Sequence, residues 1–165
     1  MKRRLTMLVA IAAVSAPPAF AADGAWTFVV DERDHPILTY TEAGKEVFQV
    51  GCGRAFGIHA NYPGTPERKG AATITIANGK TTMTFKGEMA EPEEGTTGPA
   101  RFLQWDLGYS RQDPDLFEKK WHALEDRLFN LLESGRPLTI AAGAKKYLLP
   151  PVDAPNWKAR FKEIC

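Results

Sequence analysis

Alternation and clustering of apolar positions divide most of the chain into short strands and two helices. Trp26 to Val30 and Ile37 to Thr41 are rich in β-branched and aromatic residues, and the polar run Asp31 to Pro36 between them predicts an opening hairpin. Glu42-Ala43-Gly44-Lys45 reads as a turn into Glu46 to Cys52. There Phe48, Val50 and Cys52 alternate with Val47, Gln49 and Gly51, the pattern of a strand with one buried face. Phe56 to Tyr62 predicts another strand, ended by Pro63, Gly64 and Pro66. Ala71 to Ala77 and Lys80 to Lys86 flank Asn78-Gly79, and this pair tolerates positive φ, so it predicts a hairpin closed by a type I′ turn. Gly87 to Ala100 carries four glutamates among Pro and Gly and shows no period, which predicts a long surface loop before a strand at Phe102 to Leu107.

At Asp113-Pro114 the period changes. Asp113 suits a helix cap and Pro114 the first helical position, where its missing N–H costs nothing. Phe117, Trp121, Leu124, Leu128 and Leu131 recur at steps of 4, 3, 4 and 3, placing five large apolar side chains on one stripe. Asp115, Lys119, Asp126 and Glu133 fall opposite it, and Gly135 and Pro137 stop the helix. Leu138 to Ala142 and Lys145 to Leu149 predict a further hairpin around Gly143. Pro155 opens a last helix with Trp157, Phe161 and Ile164 or Cys165 on one side, too short to stand without tertiary contacts. The tight hairpins exclude a purely parallel sheet. The expected fold is α+β, a mainly antiparallel sheet of about seven to nine short strands with one long amphipathic helix packed on it and a short C-terminal helix.

The first residues read differently. Lys2, Arg3 and Arg4 precede an apolar run from Leu5 to Ala16, and Ala19-Phe20-Ala21 has the small-x-small form of a cleavage site. Residues 1–21 are therefore expected to be a cleaved signal peptide and 22–165 a single domain, with the periplasm or the exterior as destination. The apolar run falls short of the roughly 20 residues that span a bilayer, and no membrane anchor is expected after cleavage. Adjacent Arg3 and Arg4 lack the remainder of a twin-arginine pattern. The whole chain has a formal charge of +1; without Lys2, Arg3 and Arg4, 18 basic residues face 20 acidic ones. That balance argues against a nucleic-acid partner.

Cys52 and Cys165 are the only cysteines, and an oxidising destination favours a disulfide between them. The competing reading makes Cys52 a reactive thiol with His59 as base, but no Cys-x-x-Cys supports redox work. Nucleophiles are otherwise scarce. Ser110, in Gly108-Tyr109-Ser110-Arg111-Gln112, lacks the second glycine of a nucleophile elbow, and no phosphate-cradling glycine loop is present. His35, His59 and His122 have no partner at metal-binding spacing, and Glu88 to Glu94 lacks the order of a calcium loop, so neither metal nor cofactor is expected. Trp26, Trp105, Trp121 and Trp157 read as core residues, Trp105 least clearly because it adjoins Asp106 and a glycine turn.

Thr97-Gly98-Pro99-Ala100-Arg101-Phe102 resembles the Ser-Gly-x-x-Tyr loop of small bacterial periplasmic lysozyme inhibitors, exported β-rich domains with a terminal cysteine. The likeness covers six residues. Thr97 stands where that loop has Ser, Phe102 where it has Tyr, Pro99 intrudes, and the helix from Pro114 to Glu133 has no counterpart in that family's barrel. The resemblance implies a protruding loop that blocks a lysozyme cleft. Taken together, the residues point to an exported, non-catalytic binding or accessory protein of the bacterial envelope, with an envelope ligand or a protein as partner. A hydrolase of envelope polymers acting through paired carboxylates is the alternative. Long irregular loops often carry contacts, which makes Thr97, Arg101, Phe102, Trp105, Tyr109, Ser110 and Arg111 the candidate contact residues.

Overall fold

The computed structural model describes residues 24–52, 56–62, 70–90, 101–103, 114–143 and 145–165. The segment read as an export signal lies outside them. Among the described residues the chain forms β1 (Gly24–Val30), β2 (Pro36–Glu42), β3 (Lys45–Cys52), β4 (Phe56–Ala60), β5 (Gly70–Ala77), β6 (Thr82–Ala90), β7 (Arg101–Leu103), α1 (Pro114–Leu132), β8 (Leu138–Ala142), β9 (Lys146–Leu149) and α2 (Trp157–Ile164). The strands hydrogen-bond in the order β1-β2-β3-β4-β7-β6-β5-β8-β9, with every ladder antiparallel. The α+β expectation holds, and so do the hairpins β1–β2, β5–β6 and β8–β9.

The alternation of the strands builds one inner face. Leu38, Tyr40, Phe48, Val50, Ile58, Ile74, Ile76, Phe85, Met89, Leu138, Ile140 and Leu149 are all buried in a single core. Strand β3 departs from strict alternation, because Val47 and Phe48 are adjacent and both buried. The register explains it: Tyr40 pairs with Phe48 and Thr41 with Glu46, so Val47 is the extra residue of a β-bulge that re-aims it inward. β1 and β9 are the two edges of the order, yet they approach each other. The Trp26 indole donates to the Pro150 carbonyl at 3.2 Å, just beyond β9, and the Tyr147 hydroxyl donates to the Glu42 carboxylate. Burial, then that carboxylate, pushes the Tyr147 hydroxyl well above the ordinary tyrosine range. The sheet thus curls until side chains bridge its edges, without a ladder between them.

The turn between β5 and β6 differs from expectation. Asn78 has no positive φ, whereas Gly79 does (82°), and Ala77 pairs with Thr82, so four residues connect the strands rather than two. The reason is the Asn78 side chain. Its Oδ1 accepts from the amides of Lys80 (3.1 Å) and Thr81 (2.8 Å), while its buried Nδ2 donates to the Leu131 carbonyl at 3.4 Å near the end of α1. A side chain committed to a helix and to its own turn leaves no reason for the two-residue form.

On α1, Leu128 and Leu131 are buried, Trp121 and Leu124 are half-buried against the core, and Phe129 and Leu132 widen the predicted stripe. The Phe117 side chain lies outside the described residues. Gly135, at φ 64°, turns the chain after the helix in the left-handed conformation that suits glycine. α2 starts at Trp157, two residues later than Pro155, after Asn156 in the left-handed region. Its Phe161 packs on Phe28, Phe129 and Trp157 with ring centroids 5.6, 5.1 and 5.9 Å away. Lys158 pairs with Glu133 and Lys162 with Asp126, tying α2 to α1. Cys165 forms the expected disulfide with Cys52 at the end of β3, with Cα atoms 6.1 Å apart. Among the described residues no helix is long and apolar enough to cross a membrane.

Candidate functional site

The sequence-based contact residues divide. Thr97, Trp105, Tyr109, Ser110 and Arg111 lie outside the described residues, and with them residues 97–100 of the segment that resembles a lysozyme inhibitor's loop. Arg101 and Phe102 belong to β7, where Arg101 pairs with Ala90, and Phe102 with Ala60 on one side and Met89 on the other. Trp26 and Trp157 are core residues as expected, and Trp121 is half-buried.

One concave site among the described residues lies on the sheet's outward face. The register sets Ile37, Gly51 and Gly57 abreast across β2, β3 and β4, with Thr39, Gln49 and His59 abreast in the neighbouring row. Two glycines opposite each other remove the side chains that would fill the surface there. The result is a groove of about 210 Å³ lined by His35, Ile37, Gln49, Gly51, Cys52, Gly57 and His59. Its polar wall is partly fixed in place. Gln49 Nε2 is 3.4 Å from both Thr39 Oγ1 and Glu46 Oε2. His35 Nδ1 is 3.3 Å from Asp31 Oδ2, while Asp31 Oδ1 accepts from the amides of Arg33 (2.8 Å) and His35 (2.9 Å). The backbone bond from His35 holds the Asp31 carboxyl below its ordinary range. The groove offers amide and imidazole groups around an exposed backbone floor, which suits hydrogen bonding to a small ligand. The reading of Cys52 as a free nucleophile beside His59 is corrected, since its sulfur is bonded to Cys165.

A second cavity, about 240 Å³, lies where α1 and α2 meet the disulfide and is lined by His122, Glu125, Asp126, Phe129, Lys162 and Cys165. His122 is exposed on the helix surface as expected, with Nε2 3.7 Å from Glu118 Oε1. Its Nδ1 is 3.0 Å from Glu125 Oε2, and Glu125 is only 6% exposed. Sequence reasoning missed Glu125. The available signal was its place between Leu124 and Leu128, at the margin of the apolar stripe, where a carboxylate must find a buried partner. The two sulfurs and a Glu125 carboxylate oxygen lie within 4.8 Å of one another.

Beside it, Asp126 Oδ1 is 2.7 Å from Lys162 Nζ, and that hydrogen bond lowers the Asp126 carboxyl and raises the Lys162 ammonium. A carboxylate depressed in the fold contributes stability above its unfolded value, and the contribution is lost as pH falls through the folded one. Both groups are exposed, so the effect on stability is small. An NMR titration of Asp126 is expected to give a midpoint below 3.8, and Lys162→Met to move it upward. An Asp126 midpoint indifferent to Lys162→Met would refute the ion pair in solution.

No protein-family model, curated protein or solved structure matches the chain.

Proposed function

We propose that the chain is an exported, non-catalytic binding or accessory protein of the bacterial envelope, and that it holds a small polar ligand in the glycine-floored groove across β2, β3 and β4. The observation that carries this reading is the pairing of Gly51 with Gly57 beneath a rim of His35, Gln49 and His59. A flat group can rest on exposed backbone while its hydroxyls or amides meet the rim, the arrangement that binding sites with few polar groups share. A peptidoglycan saccharide has such a flat face and polar edge. Export is supported by the charged and apolar start of the sequence and by the disulfide.

The groove can be filled without disturbing the strands. A Cβ on Gly51 would come no closer than 3.8 Å to the Pro36 carbonyl, and one on Gly57 no closer than 3.7 Å to His59 Nε2. Valine at both positions also favours strand conformation. Peptidoglycan disaccharide fragments titrated into labelled protein are expected to shift the amide signals of Gln49, Gly51, Gly57 and His59. Gly51→Val with Gly57→Val is expected to weaken binding by at least about tenfold, or 1.4 kcal/mol. Equal affinity in the filled variant, or shifts confined to another face, would overturn the reading.

A further inference from the structure

We propose that, once the Cys52–Cys165 bond is reduced, the two thiolates and the Glu125 carboxylate form a site for one zinc-class divalent ion, with a fourth position open to the cavity between α1 and α2. Both sulfurs and a Glu125 oxygen already lie within 4.8 Å of one another, contributed by β3, α1 and the residue that follows α2. Around a tetrahedral zinc ion, with bonds of about 2.3 Å to sulfur and about 2.0–2.2 Å to oxygen, ligand atoms sit roughly 3.3–3.8 Å apart. Small side-chain movements therefore suffice. Two thiolates with one carboxylate suit zinc better than the all-oxygen preference of magnesium or calcium.

An independent observation is the state of Glu125. Its carboxylate is buried, and while His122 Nδ1 occupies Oε2 at 3.0 Å, Oε1 is shielded from solvent and has no hydrogen-bond partner. A buried carboxylate oxygen with nothing to accept is costly, and in the oxidised chain the neighbouring sulfurs offer it no proton. In the reduced chain a cation held by both sulfurs and a Glu125 carboxylate oxygen would give that buried carboxylate the partner it lacks. His122 then acts as a positioning residue, fixing the carboxylate from its other oxygen as outer groups do around metal ligands. The cavity at this point, about 240 Å³, leaves room for water or a small ligand on the ion.

A small dithiol supplies two electrons and two protons, the S–S bond breaks to give two thiols, and the dithiol departs as its own disulfide. Metal binding then displaces both thiol protons to solvent as two metal–sulfur bonds form. Disulfide and ion exclude one another, so redox state decides whether the site exists.

The test uses the full chain reduced with a phosphine, which leaves as the phosphine oxide after taking oxygen from water, then desalted without air and titrated with Co²⁺. One equivalent is expected to produce thiolate-to-cobalt charge-transfer absorption and the intense visible bands of four-coordinate cobalt, both bleached by Zn²⁺. The unreduced chain is expected to give neither. Glu125→Gln should weaken binding by about 10- to 100-fold with an unchanged far-ultraviolet spectrum, and His122→Ala by about 10-fold. Absence of the charge-transfer band overturns the proposal. So does equal affinity in Glu125→Gln, or a reduced chain that unfolds and does not recover its structure with the ion.

Discussion

Replacing Cys52 and Cys165 together with alanine is expected to lower the stability of the folded chain by about 4 to 5 kcal/mol in the chain-entropy model. The disulfide joins residues separated by 113 positions, so it restrains most of the unfolded chain. For a chain of this size the loss corresponds to a fall in Tm of roughly 10 to 20 °C. Denaturant unfolding of the oxidised and cysteine-free proteins measures it. The slope m should rise in the variant because its unfolded state exposes more surface. A loss below about 1 kcal/mol would show that the unfolded chain is already compact enough for the bond to restrain little.

Phe161→Ala is expected to cost about 3 to 5 kcal/mol, the range for deleting a fully buried aromatic ring. The ring is 0% exposed and joins Phe28 on the first strand, Phe129 on the long helix and Trp157 on its own helix. Removing it leaves a cavity where three elements meet, and none can close it alone. The effect should not add to that of the cysteine replacement. The Phe161 backbone carbonyl accepts the Cys165 amide at 2.8 Å, which places the ring and the disulfide on the same last turn of α2; losing either frees that turn, and a double-mutant cycle should show coupling. Strict additivity, or a cost near 1 kcal/mol for Phe161→Ala, would mean that α2 does not share in the core as its contacts imply.

Local elements were legible because local chemistry specifies them. Trp26 to Val30, Ile37 to Thr41 and the long stripe around Leu128 each carry their period within one segment, and the disulfide followed from two cysteines and the oxidising destination expected of an export signal. What escaped depends on partners distant in sequence. Asn78-Gly79 has the composition of a two-residue turn, but Asn78 is drawn toward Leu131, 53 residues away. Val47 carries no sign of the bulge, which exists only against Thr41 and Tyr40. The groove eluded sequence reasoning for the same reason: Gly51 and Gly57 are unremarkable until the β3–β4 register sets them side by side. Glu125 is an ordinary helix carboxylate until Cys165 arrives beside it from the other end of the domain.

The order of the strands also has a mechanical meaning. β1 to β4 form one continuous block and β5, β6, β8 and β9 another, and the backbone stitch between the blocks is the three-residue β7, which shares only two pairs with β4. On the far side the blocks meet through side chains, Trp26 reaching the Pro150 carbonyl and Tyr147 the Glu42 carboxylate. The two seams are therefore where the sheet is expected to yield first, because fewest backbone bonds cross them. The candidate ligand groove lies wholly within the first block, so any flexing at the seams is expected to leave its shape unchanged.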